Sequence, residues 1–145
     1  MTQTASLKDS VMTYNQFEKL KDWLETTLTF DETNLSSKLQ SFTKWYSSLT
    51  NICVSEELYV AELRSELATL LSEVQDSIKT GRILYDNREE VKIRMNGDVR
   101  LKELNLEIAK RETMIRYLQT QQENLKSLRF DVSNFIKWKE YESGK

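Results

Sequence analysis

Histidine and proline are absent from this chain, cysteine occurs once and glycine three times. Each shortage excludes something. Without His there is no imidazole base and no imidazole metal ligand, so a thiol at Cys53 would lack the basic partner that nucleophilic catalysis requires. A lone Cys forms no internal disulfide, and Cys53, near the end of an amphipathic run, reads as a small apolar filler. Gly81, Gly97 and Gly144 are isolated, which rules out a phosphate-cradling loop of the Walker or dinucleotide type. Carboxylates remain as the only metal ligands, and pairs such as Glu89-Glu90 and Glu103/Glu107 have ordinary helix-surface spacing. No metal site, cofactor or catalytic centre is therefore expected.

Long apolar runs are missing too. No stretch of about 18 apolar residues exists, and no charged start leads into an apolar segment, so neither a membrane span nor a secretory signal is expected and the protein is read as cytoplasmic.

Few helix breakers, 39% apolar residues and 30% charged residues favour long helices with solvated outer faces. Residues 1–9 are polar and faceless and read as a disordered tail, leaving 10–145 as a single helical domain. Ser10 is placed to cap a first helix with Phe17, Leu20, Leu24 and Leu28 on one face and Trp23 alongside. After Phe30-Asp31-Glu32-Thr33-Asn34, Asn34 is placed to cap a second helix carrying Leu35, Leu39, Phe42, Tyr46 and Leu49. A third periodic segment opens at Ser55 and carries Val60, Leu63, Leu67, Leu70, Val74 and Ile78 as far as Gly81. Between Arg82 and Gly97 the period shortens: Ile83 and Tyr85, then Val91, Ile93 and Met95, alternate with polar neighbours, the pattern of a short β-ribbon at about 82–97. Asp98 is placed to cap a last long helix. The fold class expected is all-α in the main, with antiparallel long helices and that small ribbon.

The last helix holds the most regular pattern. Leu101, Leu104, Ile108, Ile115, Leu118, Leu125, Val132 and Ile136 form a heptad seam, the period that keeps one stripe against a partner helix. At that length, part of the seam is expected to face a second subunit, with Ile115, Leu118, Leu125, Val132, Phe135, Ile136 and Trp138 as the oligomerisation residues. Arg111, Gln122 and Arg129 interrupt it. Either they fix register and subunit number, or the helix bends away there and they meet water.

Charge is unevenly spread. Residues 1–78 hold six Lys or Arg against twelve Asp or Glu, whereas 79–145 hold fifteen against eleven. The basic half attracts polyanions through local potential even though the whole chain carries −2. The alternative is a solvated helix laced with alternating charge.

The string Tyr117-Leu118, Leu125 and Arg129-Phe130-Asp131-Val132-Ser133-Asn134-Phe135-Ile136-Lys137-Trp138-Lys139-Glu140-Tyr141-Glu142-Ser143-Gly144-Lys145 resembles the end of the tailed-phage recombination mediator family UvsY. Phe17-Glu18-Lys19-Leu20 through Asp31-Glu32-Thr33-Asn34-Leu35 is similar to that family's opening, as is the basic stretch Val91 to Arg100 followed by Leu101-Lys102-Glu103-Leu104 to its middle. About residues 15–145 are covered. The resemblance implies a mediator that binds single-stranded DNA as a ring-like homo-oligomer and helps a RecA-type recombinase replace the single-strand-binding protein, in the host cytoplasm for a phage-encoded chain. One departure stands out. Family members carry a Lys/Arg pair, associated with DNA binding, just before the Ser-Gly-Arg turn, where this chain reads Leu71-Ser72-Glu73-Val74-Gln75. DNA contact is then assigned to Lys79, Arg82, Arg88, Lys92, Arg94, Arg100 and Lys102, with Tyr85 either stacking on a base or packing on the helices. The rival reading is a helical oligomerisation adaptor without nucleic-acid binding; a small nuclease or nucleotide-binding enzyme is disfavoured by the missing motifs.

Overall fold

A computed structural model describes residues 11–28, 35–80 and 98–144, with the side chains of 35, 36 and 77–80 left undescribed. The tail at 1–9, the Ser10 and Asn34 caps, the Phe30–Asn34 turn, the Gly81 stop and the ribbon at 82–97 lie outside the described residues.

Three helices make up the described chain: α1, Tyr14–Thr27, α2, Leu35–Thr80, and α3, Val99–Glu142. The cap of α1 is Thr13. Its hydroxyl accepts from the Gln16 amide at 3.2 Å while the Gln16 side chain accepts from the Thr13 amide at 2.9 Å, a reciprocal capping box. Asp98 caps α3 as the sequence suggested, its carboxylate accepting from the Arg100 amide at 2.9 Å. At the other end of α3, Gly144 adopts a φ of 77°, the left-handed conformation that a residue without a Cβ takes at least cost.

The second and third periodic segments are one helix. The stripe of Leu49 and Cys53 continues to Val60 through Glu56, which is fully buried. A carboxylate at an apolar seam position, just after a Ser able to cap, makes a helix look finished where it runs on.

The chain divides into two compact units, residues 1–56 with 114–145, and residues 57–113. In the first, α1 and the opening of α2 pack with the end of α3 around Leu24, Phe42, Leu49, Cys53, Leu118, Leu125, Leu128 and Val132. Aromatic edges join the layers: Phe17 meets Tyr117 at 5.6 Å and Trp23 meets Trp45 at 5.5 Å, both edge-on, the favoured geometry for ring quadrupoles. In the second unit α2 and α3 run antiparallel, with Val74 and Leu101 at one end and Tyr59 and Arg111 at the other. Leu67, Leu70 and Leu71 pack beside Val74 and Leu101.

The seam of α3 is used inside the chain. Ile115, Leu118, Leu125 and Val132 are each at most 8% exposed in the single chain. Phe135 and Ile136 are half-buried, Ile136 against the core of the first unit. Trp138 is exposed at 53%.

The three polar interruptions have three different explanations. Arg111 is 5% exposed yet satisfied, its Nε donating to Glu107 at 3.0 Å and its guanidinium lying 5.2 Å from the Tyr59 ring centre. Gln122 is half-buried and donates to the Thr50 hydroxyl at 2.7 Å. Arg129 is exposed and meets water, as the simpler alternative held.

Candidate nucleic-acid interface

The residues assigned to DNA divide according to what is described. Arg82, Tyr85, Arg88, Lys92 and Arg94 lie outside the described residues, and Lys79 ends α2 with its side chain undescribed. Arg100 and Lys102 are exposed on the first turn of α3.

Arg100 is not a free cation. Its Nη2 lies 3.0 Å from Asp98 Oδ2 and its Nε 3.3 Å from Oδ1, so the guanidinium closes onto the carboxylate that caps its own helix. That bond holds the Asp98 carboxyl below the usual range and pushes Arg100 up. Glu73 of α2 adds a further negative field on Arg100. In the stretch Leu71–Gln75, where a cationic pair would stand in the resemblance, this chain turns Ser72, Glu73 and Gln75 to solvent. Lys102 is exposed and forms no ion pair among the described residues.

Other cations of α3 are tied to neighbours. Lys139 stands 5.5 Å from the Phe135 ring centre, 5.6 Å from that of Trp138 and 3.9 Å from Glu142. Lys126 lies 3.5 Å from Glu123 and 5.4 Å from the Tyr46 ring centre. Arg64 of α2 pairs with Glu112. Exposed pairs of this kind are weak and exchange readily for other partners. The basic bias of the second half was visible in the sequence; the local pairing that reduces it was not.

Sequence comparison decides the family. The profile described as "Recombination, repair and ssDNA binding protein UvsY" matches residues 21–145. The chain belongs to the UvsY family. Two solved structures of the bacteriophage T4 recombination mediator protein UvsY share its fold. One, in lattice type IV, has a TM-score of 0.75 at 16% identity and covers 87% of this chain and 98% of its own; another, in lattice type II, has 0.75 at 15%, with 91% and 98% covered. No curated protein matches the sequence. Identity this low extends the likeness to the fold alone, whereas the profile match spans the α3 start and the basic segment before it. Among the described residues no helix is long and apolar enough to cross a membrane.

Proposed function

We propose that this chain binds single-stranded DNA without sequence preference, as a homo-oligomer, and helps a RecA-type recombinase displace single-strand-binding protein. Membership of the UvsY family across residues 21–145 is the observation that carries this reading. Lysine and arginine side chains from Lys79 to Lys102 neutralise phosphates and release counterions, and several subunits holding one strand turn weak contacts into useful avidity. Bending the strand around the oligomer loosens one protein's hold and presents bases to the next. Binding and remodelling of this kind require no cofactor and no catalytic group. Trp138 and the residues around it supply the subunit contact, with Phe135 and Ile136 behind it.

The ion pairs along α2 and α3 favour one second reading, a charge-laced helical adaptor that does not bind nucleic acid. Titrating fluorescent poly-dT at several salt concentrations separates the two. Changing Lys92 and Arg94 together to Ala weakens binding and flattens the slope of log affinity against log salt by about 0.7 per lost phosphate contact, with the oligomer intact. An unmodified protein that fails to bind at low salt leaves the adaptor; a double variant with unchanged affinity and slope moves the DNA away from this segment.

A further inference from the structure

Within the first unit a cavity of about 110 Å³ opens between α2 and α3, lined by Phe42, Tyr46, Leu125, Lys126 and Arg129. Phe42 and Leu125 back it but are each only 1% exposed, so the surface it offers is the Tyr46 ring and the stems of the two cations. Half-buried Tyr46 forms a wall, and two cations one turn apart stand at the mouth. Lys126 leans over the Tyr46 ring at 5.4 Å and shares Glu123 at 3.5 Å, whereas exposed Arg129 forms no ion pair among the described residues.

We propose that this slot receives one base of a single-stranded nucleic acid, with Lys126 and Arg129 holding the phosphates on either side of it. The inference rests on the single-stranded DNA reading above and adds a contact separate from the 79–102 segment. Size limits the occupant: the cavity is well under the roughly 300 Å³ at which whole small-molecule ligands begin, so it admits a planar ring and leaves sugar and phosphate outside. A single six-membered ring fills the slot more fully than a fused pair, while the phosphate contacts hold either. Chemistry limits it further. An aromatic, uncharged body matches the Tyr46 ring, while a flanking anion matches the rim, and a nucleotide within a strand is both at once. Bases in a duplex are stacked and paired and do not reach such a slot.

An aromatic side chain from a second copy is the competing occupant, because Phe130, Trp138 and Tyr141 are exposed at 67%, 53% and 81%. Phe130 adjoins Asp131, and Tyr141 lies between Glu140 and Glu142 with Lys139 paired to Glu142, so seating one of those rings brings no excess of negative charge to Lys126 and Arg129, whereas a strand brings a phosphate on either side of its base. Charge complementarity favours the polyanion.

The test irradiates the full-length protein bound to an oligothymidine in which 5-bromodeoxyuridine replaces thymidine, and maps the cross-linked peptide by mass spectrometry. Affinity is measured alongside for oligothymidine, for oligoadenosine and for the same backbone without bases, using the unmodified protein, Tyr46→Leu and Arg129→Gln. Cross-links at Tyr46, and a preference for thymine over the bare backbone on the order of tenfold that Tyr46→Leu removes, are expected for one stacked base. Arg129→Gln, at an exposed position where the fold is not at stake, reduces the salt slope by about 0.7. Cross-links confined to residues 79–102 with both variants binding as the unmodified protein does would sink the slot and leave the wider DNA reading standing. Absence of any binding at low salt removes both. A smaller oligomer in either variant, with DNA affinity unchanged, assigns the slot to a second copy and overturns the inference.

Discussion

Gln122 of α3 donates its side-chain amide to the hydroxyl of Thr50 on α2 at 2.7 Å, and the Thr50 hydroxyl in turn donates to the Tyr46 carbonyl at 3.0 Å. Cys53 adds a weak thiol contact to the Gln122 carbonyl oxygen at 3.9 Å. A polar residue in the middle of an apolar seam is thereby satisfied within one chain. Thr50→Val removes the acceptor and leaves a half-buried amide without it, so stability falls by about 1 kcal/mol. Adding Gln122→Leu to that variant removes the unpaired amide and restores most of the loss. Urea denaturation of the two single variants and the double variant measures the coupling, and strict additivity would show that the bond contributes nothing.

How much of this was legible follows from where polarity interrupts a stripe. The helix faces of α1 and α3 were readable because Leu24, Leu118, Leu125 and Val132 keep a helical period and all end in one core. At Glu56 the reading failed: a buried carboxylate at a seam position made α2 look like two helices. Seam length is harder to read for a related reason. The stripes of α1 and α2 were each visible, but periodicity shows that a face is covered and not by which partner, so the sequence could not show how much of the α3 seam the chain's own helices bury. For the candidate site, the excess of cations after residue 79 was countable, whereas the closure of Arg100 onto Asp98 depends on rotamers at a helix start and leaves no mark on composition.

Two phenols titrate late. Burial pushes Tyr59 up, Glu107 adds to it and Arg111 opposes, with Glu66 and Glu62 contributing further negative field; burial also raises Tyr117, with Glu25, Asp22 and Glu18 adding to it. Unfolded phenols lose their protons near pH 10, so above that pH the unfolded chain binds fewer protons than the folded one and stability falls. Below about pH 10 the contribution is complete, and it disappears as pH rises through the folded values. Urea midpoints measured from about pH 8 to about pH 11 therefore decline for the unmodified protein and decline less for Tyr59→Phe. Equal slopes would mean that Tyr59 titrates alike in both states. The Tyr117 hydroxyl is enclosed with no hydrogen-bond partner among the described residues, so Tyr117→Phe is expected to be neutral or to stabilise by up to about 1 kcal/mol.

Core and interface separate by substitution. Leu118 has no exposed surface, so Leu118→Glu buries an unpaired carboxylate and unfolds the chain, seen as lost helical circular dichroism at every concentration. Trp138 and Tyr141 lie on one exposed stripe of α3 with Phe130, by their spacing of eight and three residues. Changing Trp138 and Tyr141 together to Glu leaves helicity unchanged while the mass by light scattering falls toward the 17.1 kDa of one chain. An oligomer of unaltered mass in that variant would place the subunit contact elsewhere.

Asp98→Asn tests whether Arg100 is part of the DNA surface. Asn caps a helix about as well as Asp, so α3 still begins at Val99, but the carboxylate that closes on the guanidinium is gone. Losing a negative charge at an exposed helix N-terminus has only a small effect on stability. If Arg100 reaches phosphate once released, affinity for oligothymidine rises and the salt slope steepens by about 0.7. The unmodified protein cannot mimic this on mild acidification, because Arg100 holds the Asp98 carboxyl below its ordinary value. The pair's contribution is complete above the ordinary carboxylate range and is lost only as pH falls through that lowered value, so between about pH 5 and pH 8 the clamp stays shut. A variant with the original affinity and slope over that interval would remove Arg100 from the interface and leave Lys102 as its described member.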